Sequence, residues 1–159
     1  MQIEDLLVNS IDPVFHILDS RGVSDSEEAY ILAVAIGYQE SGFMHRRQIG
    51  GPARGYWQFE KGGGVWNVLN AAAAKPHMLE LCKIYDVPAN ATDVFEALAW
   101  HDSLAAGAAR LNLWCDPHKL PAVGDIQTAW DYYIRVWRPG APHRDAWNSN
   151  YAKAVAAIN

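Results

Sequence analysis

Two glutamates frame a segment of the chain that could carry acid–base chemistry. Glu40 closes an apolar, helix-like stretch, and Glu60 follows twenty residues later at the end of an aromatic run. Glycoside cleavage commonly uses two carboxyl groups, one to protonate the departing oxygen and one to activate water or attack the sugar. The glycine-rich residues between them give enough chain to fold back across a cleft. The same spacing also suits two unrelated surface charges, so both interpretations stay open at this point.

The helix predicted from about Asp25 to Glu40 must position the first of these acids. Leu32 and Ile36 precede Glu40 at intervals of four residues, so the three side chains share the apolar face. Burial and the negative end of the helix dipole both disfavour the carboxylate, which predicts a raised pKa for Glu40. A carboxyl that stays protonated near neutral pH can act as a general acid at a glycosidic oxygen. The alternative is a glutamate that ends the helix in solvent.

The segment from Glu40 to Glu60, "ESGFMHRRQIGGPARGYWQFE", resembles the lysozyme-like superfamily and, within it, the soluble lytic transglycosylases and goose-type lysozymes. Those families carry a catalytic glutamate followed by serine at a helix end, which Glu40-Ser41 matches. They also carry a Gly-Leu-Met-Gln segment after a glycine-rich stretch. Residues 55–58 match it, with Tyr-Trp in place of Leu-Met. Goose-type enzymes place an acid two residues after that glutamine, which is the position of Glu60.

The resemblance implies roles for the residues of these motifs. Glu40 would be the general acid, Ser41 would help to orient it, and Gln58 would hydrogen-bond the sugar. A third family motif, Ala-Tyr-Asn-Ala-Gly, finds its best counterpart in residues 129–133 of a later helix. The residues expected to bind substrate, with the aromatic ones lining the cleft, are Ser41, Gly55, Tyr56, Trp57, Gln58 and Tyr132 or Tyr133.

The implied substrate is the glycan strand of bacterial peptidoglycan, cut at the β-1,4 bond between N-acetylmuramic acid and N-acetylglucosamine. If Glu60 positions water, the product is a hydrolysed reducing end, as in a lysozyme. If it does not, the muramyl 6-hydroxyl closes on the anomeric carbon, as in a lytic transglycosylase. The same stretch also resembles the plant-type chitinases and their phage relatives, whose paired glutamates stand about this far apart. A non-catalytic glycan-binding phage component that keeps the fold is a third interpretation.

Length and composition indicate a single domain over residues 1–159. Half of the residues are hydrophobic, and a net charge of −5 without a dominant basic stripe argues against a nucleic-acid partner. We see no apolar segment of about 18 residues and no signal peptide, so we expect no membrane insertion and synthesis in a cytoplasm. With the resemblance, this is typical of a monomeric phage endolysin that acts on the periplasmic cell wall after release.

The elements that must position these residues are mainly helices. We expect a mainly α (α+β lysozyme-like) fold, in which a helical bundle surrounds the Glu40 helix and a small loop or β-hairpin region adjoins it. Residues 42–64 are predicted to form that loop, with short strands near Ile49 and Tyr56–Phe59. A capping box at Ser24-Asp25-Ser26-Glu27 begins the Glu40 helix. The predicted helices cover residues 2–9, 13–20, 25–40, 65–74, 76–86, 93–114, 125–136 and 146–158.

The two cysteines allow one metal hypothesis. Cys82 follows His77, and Cys115 precedes His118, so the four side chains could form a Cys2His2 zinc site. The spacing of the first pair is unusual for such sites, and two free thiols are the preferred interpretation. We therefore expect no metal and no other cofactor.

Overall fold

Helices make up most of the chain, and the computed structural model describes residues 2–159. The prediction of a mainly helical fold is confirmed. Helical turns of the wider π type occupy Leu7–Ile11 and Lys61–Val65. The α-helices are α1 (Ile3–Leu6), α2 (Asp12–Asp19), α3 (Glu27–Ser41), α4 (Trp66–Asn70), α5 (Lys75–Ile84), α6 (Ala91–Ala97), α7 (Asp102–Trp114), α8 (Ile126–Trp137) and α9 (Arg144–Ile158).

Helix α3 is central to the core. Every residue from Ile31 to Gly37 is buried, so the middle of the helix is covered on all sides. Helix α9 packs along it, and α7 packs against α3, α2 and α5. At Gly107 of α7, an added Cβ would lie 2.6 Å from Leu81 of α5 and 2.8 Å from Val14 of α2. Small residues in α7 therefore allow the close approach of the helices that surround α3.

Both ends of α3 are defined by local sequence. Ser26 is the N-cap residue, and its hydroxyl accepts a hydrogen bond from the Ala29 amide at 3.3 Å. The predicted capping box at residues 24–27 does not form, because the cap is Ser26, and the Ser24 hydroxyl accepts a hydrogen bond from the Ser26 amide. Gly42 ends the helix in the left-handed conformation at φ +63°. Glu40 consequently lies in the last turn of α3, just beyond the buried middle of the helix.

Of the two forms expected for the region after α3, a loop or a β-hairpin, the structure has the loop, and the short strands predicted near Ile49 and Tyr56–Phe59 are absent. Residues 43–60 contain only isolated bridges, between Arg47 and Arg54 and between Arg54 and Phe59. Positive φ angles of 77° at Gly55 and 53° at Gln58 reverse the chain between these contacts, so no run of extended residues forms. The α+β part of the fold prediction is corrected to a helical fold with an irregular loop.

Two helix predictions also need correction. The predicted helix over residues 93–114 is interrupted after α6, and His101 begins α7 by accepting a hydrogen bond from the Leu104 amide at 3.1 Å. The predicted break near Pro13 is absent, because Pro13 lies in the first turn of α2, where its missing N–H costs nothing. The π turn carries the helical backbone from α1 into α2.

The residues of the hypothetical zinc site do not come together. His77 accepts a hydrogen bond from Arg21, whereas His118 contacts Asp116. Cys82 and Cys115 are free thiols, and burial raises the pKa of both. Within residues 2–159, no three His, Cys, Asp or Glu side chains gather to hold a metal ion. Over the same residues, no helix is both long enough and apolar enough to cross a membrane.

Candidate active site

Glu40 opens onto a cleft of about 430 Å³. Its walls come from the end of α3, the loop of residues 45–60, the glycine turn at 61–65, α7 and the end of α8 with the segment that follows it. Glu60 lines the same cleft and is exposed. The structure therefore brings the two glutamates of the sequence motif to one cavity.

Tyr133 of α8 holds the Glu40 carboxyl. Its hydroxyl donates a hydrogen bond to Glu40 Oε1 at 2.7 Å. The Tyr133 ring stacks on the fully buried Trp147 of α9, with ring centroids 5.3 Å apart and planes inclined by 8°. This stacking fixes the ring, so the hydroxyl is aimed at Glu40.

The structure also separates the two candidate tyrosines of α8. Tyr132 is buried, and its hydroxyl donates to the Leu113 carbonyl at 2.9 Å, on the side of α8 away from Glu40. Consecutive residues on a helix point about 100° apart, so only one of them can face the cleft. The substrate-lining role expected for Tyr132 is therefore corrected to a role in the core.

Burial raises the pKa of Glu40 from 4.5 to about 7. The hydrogen bond from Tyr133 acts in the opposite direction because it stabilises the carboxylate, and the negative charge of Glu60 raises the pKa further. A carboxyl group with a pKa near 7 is substantially protonated at neutral pH. It can give a proton to a departing oxygen and recover it afterwards.

Glu60 is placed by the glycine turn that follows it. Its carbonyl accepts hydrogen bonds from the amides of Gly63 and Val65, both at 3.2 Å. Its carboxylate stays in solvent at the wall of the cleft and acts on Glu40 through its charge. One glutamate is thus kept partly protonated in the protein, while the other is exposed to water. This is the division of labour that acid and base roles require.

Ser41 and Gly55 support the cleft from outside it. Ser41 is buried and its hydroxyl donates to the Tyr56 carbonyl at 2.6 Å, while it accepts from the Phe43 amide at 3.1 Å. Gly55 is held against the backbone of Leu98, where a Cβ would lie 2.8 Å from the carbonyl oxygen. Ser41 ties the loop to the end of α3, whereas Gly55 holds the loop against the residue that follows α6, and neither contacts the Glu40 carboxyl.

The aromatic lining differs from the sequence prediction. Tyr56 and Trp57 are buried beside Phe43, and the Trp57 indole donates to the Ala33 carbonyl at 2.8 Å, so neither ring lines the cleft. The reason is that the loop turns its aromatic pair inwards against α3. Gln58 does line the cleft, and its amide nitrogen donates to the Gly55 carbonyl at 3.0 Å.

Trp137 is one of two aromatic residues of the cleft that sequence reasoning missed, the other being the buried Phe59. Trp137 is half-buried, lines the cavity and donates from its indole to the Trp57 carbonyl at 3.0 Å. It stands four residues after Tyr133, so the helical period of α8 already places both on one face. That spacing was the available signal.

Polar residues that the motifs do not contain complete the cleft. Arg138 follows Trp137 in a left-handed conformation at φ 49° and makes no ion pair within residues 2–159. His45 and Asn112 also line the cavity. His45 lies within the segment from Glu40 to Glu60 but had no predicted role, whereas tertiary packing alone brings Asn112 and Arg138 to the site.

Comparisons with known proteins returned no relatives. The chain matches no family model, and neither a curated protein nor a solved structure matches it.

Proposed function

We propose that this chain is a glycosidase of bacterial peptidoglycan in which Glu40 is the general acid. The observation that carries the proposal is the Glu40 carboxyl itself. It has a pKa of about 7, is held by Tyr133 and opens into a cleft that also contains Glu60. The resemblance of residues 40–60 to lytic transglycosylases and goose-type lysozymes supplies the substrate class. The cell wall is the proposed partner, and the periplasm is the proposed place of action.

The proposed reaction begins with proton transfer from Glu40 to the oxygen that links N-acetylmuramic acid to N-acetylglucosamine. The Tyr133 hydroxyl occupies Oε1, so Oε2 is the oxygen available to carry the proton. As the bond breaks, Glu40 becomes a carboxylate, and the Tyr133 hydrogen bond strengthens because its acceptor is now charged. The bond electrons leave with the protonated oxygen, and positive charge develops at the anomeric carbon.

The second half of the reaction depends on Glu60. In hydrolysis, Glu60 accepts a proton from a water molecule while the oxygen of that water bonds to the anomeric carbon. In the transglycosylase route, the muramyl 6-hydroxyl bonds to that carbon and its proton returns to the Glu40 carboxylate. The two routes give different products, because the anhydro product lacks one water. Mass spectrometry of digested sacculi distinguishes them directly.

The test of the proposal is a turbidity assay on outer-membrane-permeabilised cells. Glu40→Gln keeps the shape of the side chain and an oxygen for Tyr133 but removes the transferable proton. We expect clearing to slow by about 10²–10⁴-fold, the usual contribution of a general acid. Glu4→Gln, at an exposed glutamate far along the chain, is the matched control and should clear like the parent. If the parent clears no faster than Glu40→Gln, the chain is not this enzyme.

A parallel assay tests the chitinase-like interpretation. Colloidal chitin is offered in parallel with purified sacculi. Release of chitooligosaccharides with no attack on sacculi would move the proposal to chitin. Binding to either glycan without any cleavage would leave the non-catalytic glycan-binding interpretation.

A further inference from the structure

Asn112 presents an unused hydrogen-bond donor to the cleft. It lies on α7, and only 4% of its surface is exposed, yet it lines the cavity that contains Glu40. Asn67 of α4 donates to its Oδ1 at 2.8 Å. This bond fixes the orientation of the Asn112 amide, so its nitrogen is turned away from Asn67.

The Asn112 nitrogen has no acceptor in the protein. Its side chain makes a hydrogen bond only to Asn67 within the described residues, and that bond uses the oxygen. Among side-chain nitrogen and oxygen atoms of residues 2–159, only Arg54 Nε and Arg110 Nη1 are both buried and unpartnered. The Asn112 nitrogen is therefore open to the cleft. Because this donor is accessible from the cleft, water can accept from it in the free protein, and an acceptor on a ligand can replace that water.

The glycine turn borders the same cavity as this donor. Gly63 and Gly64 line the same cavity, and the turn that contains them packs against α7. An added Cβ at Gly64 would lie 3.1 Å from the Phe59 ring, so the turn lies close against the loop. The turn therefore adds no side chain to the cavity that Asn112 lines.

The chemistry of the donor selects its acceptor. A primary amide N–H only donates, and the strongest neutral acceptor on an amino-sugar glycan is the carbonyl of its acetamido group. We propose that Asn112 donates a hydrogen bond to the acetamido carbonyl of an N-acetylated sugar in the cleft, and so selects N-acetylated over de-N-acetylated glycans. This inference rests on the proposed glycan substrate but not on catalysis.

The experiment measures binding without cleavage. In the Glu40→Gln background, calorimetry compares a tetramer of N-acetylglucosamine with a tetramer of glucosamine. Asn112→Ala removes the donor, and Asn112→Asp keeps an oxygen for Asn67 while it replaces the donor. Asn70→Ala is the matched control, because Asn70 is an exposed asparagine of α4 that does not line the cavity. Thermal unfolding of each variant reports whether the fold is retained.

We expect both Asn112 variants to bind the acetylated tetramer about tenfold more weakly or worse, since a buried hydrogen-bonding partner is lost. Binding of the glucosamine tetramer should not weaken in Asn112→Ala, and Asn70→Ala should keep the preference for the acetylated tetramer. Equal losses for both tetramers, unchanged affinity, or no binding of the acetylated tetramer by the parent would each overturn the inference. The turbidity assay is scored separately. Selective binding without clearing would contradict the proposed enzyme and support the Asn112 inference. Clearing without Asn112-dependent selectivity would support the enzyme and contradict the Asn112 inference.

Discussion

At the scale of single residues, the candidate site depends on opposing influences on Glu40. Burial and the charge of Glu60 favour the protonated acid, whereas the Tyr133 hydroxyl favours the carboxylate. The resulting pKa of about 7 predicts that acid catalysis falls as the pH rises through neutrality. Removing the Tyr133 hydroxyl and removing the Glu60 charge should therefore shift the alkaline limb of the pH profile, where activity falls, in opposite directions.

Tyr133→Phe should move the alkaline limb to higher pH. The variant keeps the ring that stacks on Trp147 but loses the hydrogen bond that stabilises the Glu40 carboxylate. We also expect a roughly tenfold lower rate at the optimum, because the carboxylate formed during bond cleavage loses a charge-assisted hydrogen bond. The measurement is kcat/KM on labelled peptidoglycan as a function of pH. Tyr132→Phe is the control on the same helix, and its limb should stay in place; a limb that moves to lower pH in Tyr133→Phe would contradict the argument.

Glu60→Gln should move the alkaline limb to lower pH. The variant removes the negative charge that disfavours ionisation of Glu40, so the pKa of Glu40 falls. If Glu60 also activates water, the hydrolysed product disappears from the sacculus digest together with most of the activity. An unmoved limb would mean that the two carboxyl groups do not interact. The same variant thus tests the coupling and the reaction route by independent readouts.

Sequence alone could predict that Glu40 shares a helix face with Leu32 and Ile36, but it left both a buried and a solvent-exposed carboxyl open and did not identify the partner of Glu40. The spacing of Leu32, Ile36 and Glu40 is a local helical property, and it survives in any packing that buries this face. The choice between Tyr132 and Tyr133 depends on how α8 is rotated against α3 and α9, which no short stretch specifies. Family resemblance predicts Tyr56 and Trp57 in the cleft, whereas both rings are buried in the core.

At the scale of elements, the loop of residues 43–60 is shaped by backbone reversals more than by pairing. Its bridges are isolated, and its bend at Gly55 brings the backbone close to Leu98, just after α6. Helix bounds for α3, α8 and α9 fell within two residues of the predicted ones, since caps and periodicity are local signals. The loop could not be predicted in this way, because its conformation is decided by contacts far away in sequence.

Gly55→Ala should test how strictly this loop is specified. At φ +77° a side chain costs about 1–2 kcal/mol by itself. The added Cβ would also lie 2.8 Å from the Leu98 carbonyl oxygen. Gly22→Ala is the matched control, because Gly22 has a φ of +89° and no atom within 4 Å of the added Cβ. Chemical denaturation should show a greater loss of stability in Gly55→Ala than in Gly22→Ala, together with lower activity; equal losses would show that the Leu98 contact relaxes without cost.

At the scale of the whole molecule, the site exists only because distant segments pack together. Glu40 and Tyr133 are 93 residues apart in sequence, and α9 backs both of them by packing along α3 and supplying Trp147. The cleft residue Gln39 is tied to the same helix, since its amide oxygen accepts from Asn150 at 2.8 Å. Global unfolding should therefore report on the protonation of Glu40, because the buried carboxyl and its surroundings are lost together.

The sign of that effect follows from the raised pKa of Glu40. The unfolded chain has the ordinary value of 4.5 and the folded chain has about 7, so the folded state holds the extra proton between these pH values. The stability associated with the protonated form is complete below pH 4.5 and is lost as the pH rises through 7. The difference corresponds to about 3 kcal/mol at 1.36 kcal/mol per pH unit.

Glu40→Gln should remove this dependence, because the amide never ionises. Its melting temperature should match the parent near pH 4.5 and exceed it increasingly towards pH 8, by about 5–10 °C for a chain of this size. Differential scanning calorimetry across this range makes the comparison, with Glu4→Gln at an exposed site as the control that should track the parent throughout. A constant offset between Glu40→Gln and the parent would show that Glu40 ionises as readily in the fold as outside it, and the acid role proposed for it would lose its physical basis. If Glu40→Gln is more stable than the parent only at the pH values where Glu40 ionises, the ionised carboxylate destabilises the folded parent. The proposed chemistry requires an ionisable group at this position in spite of that cost.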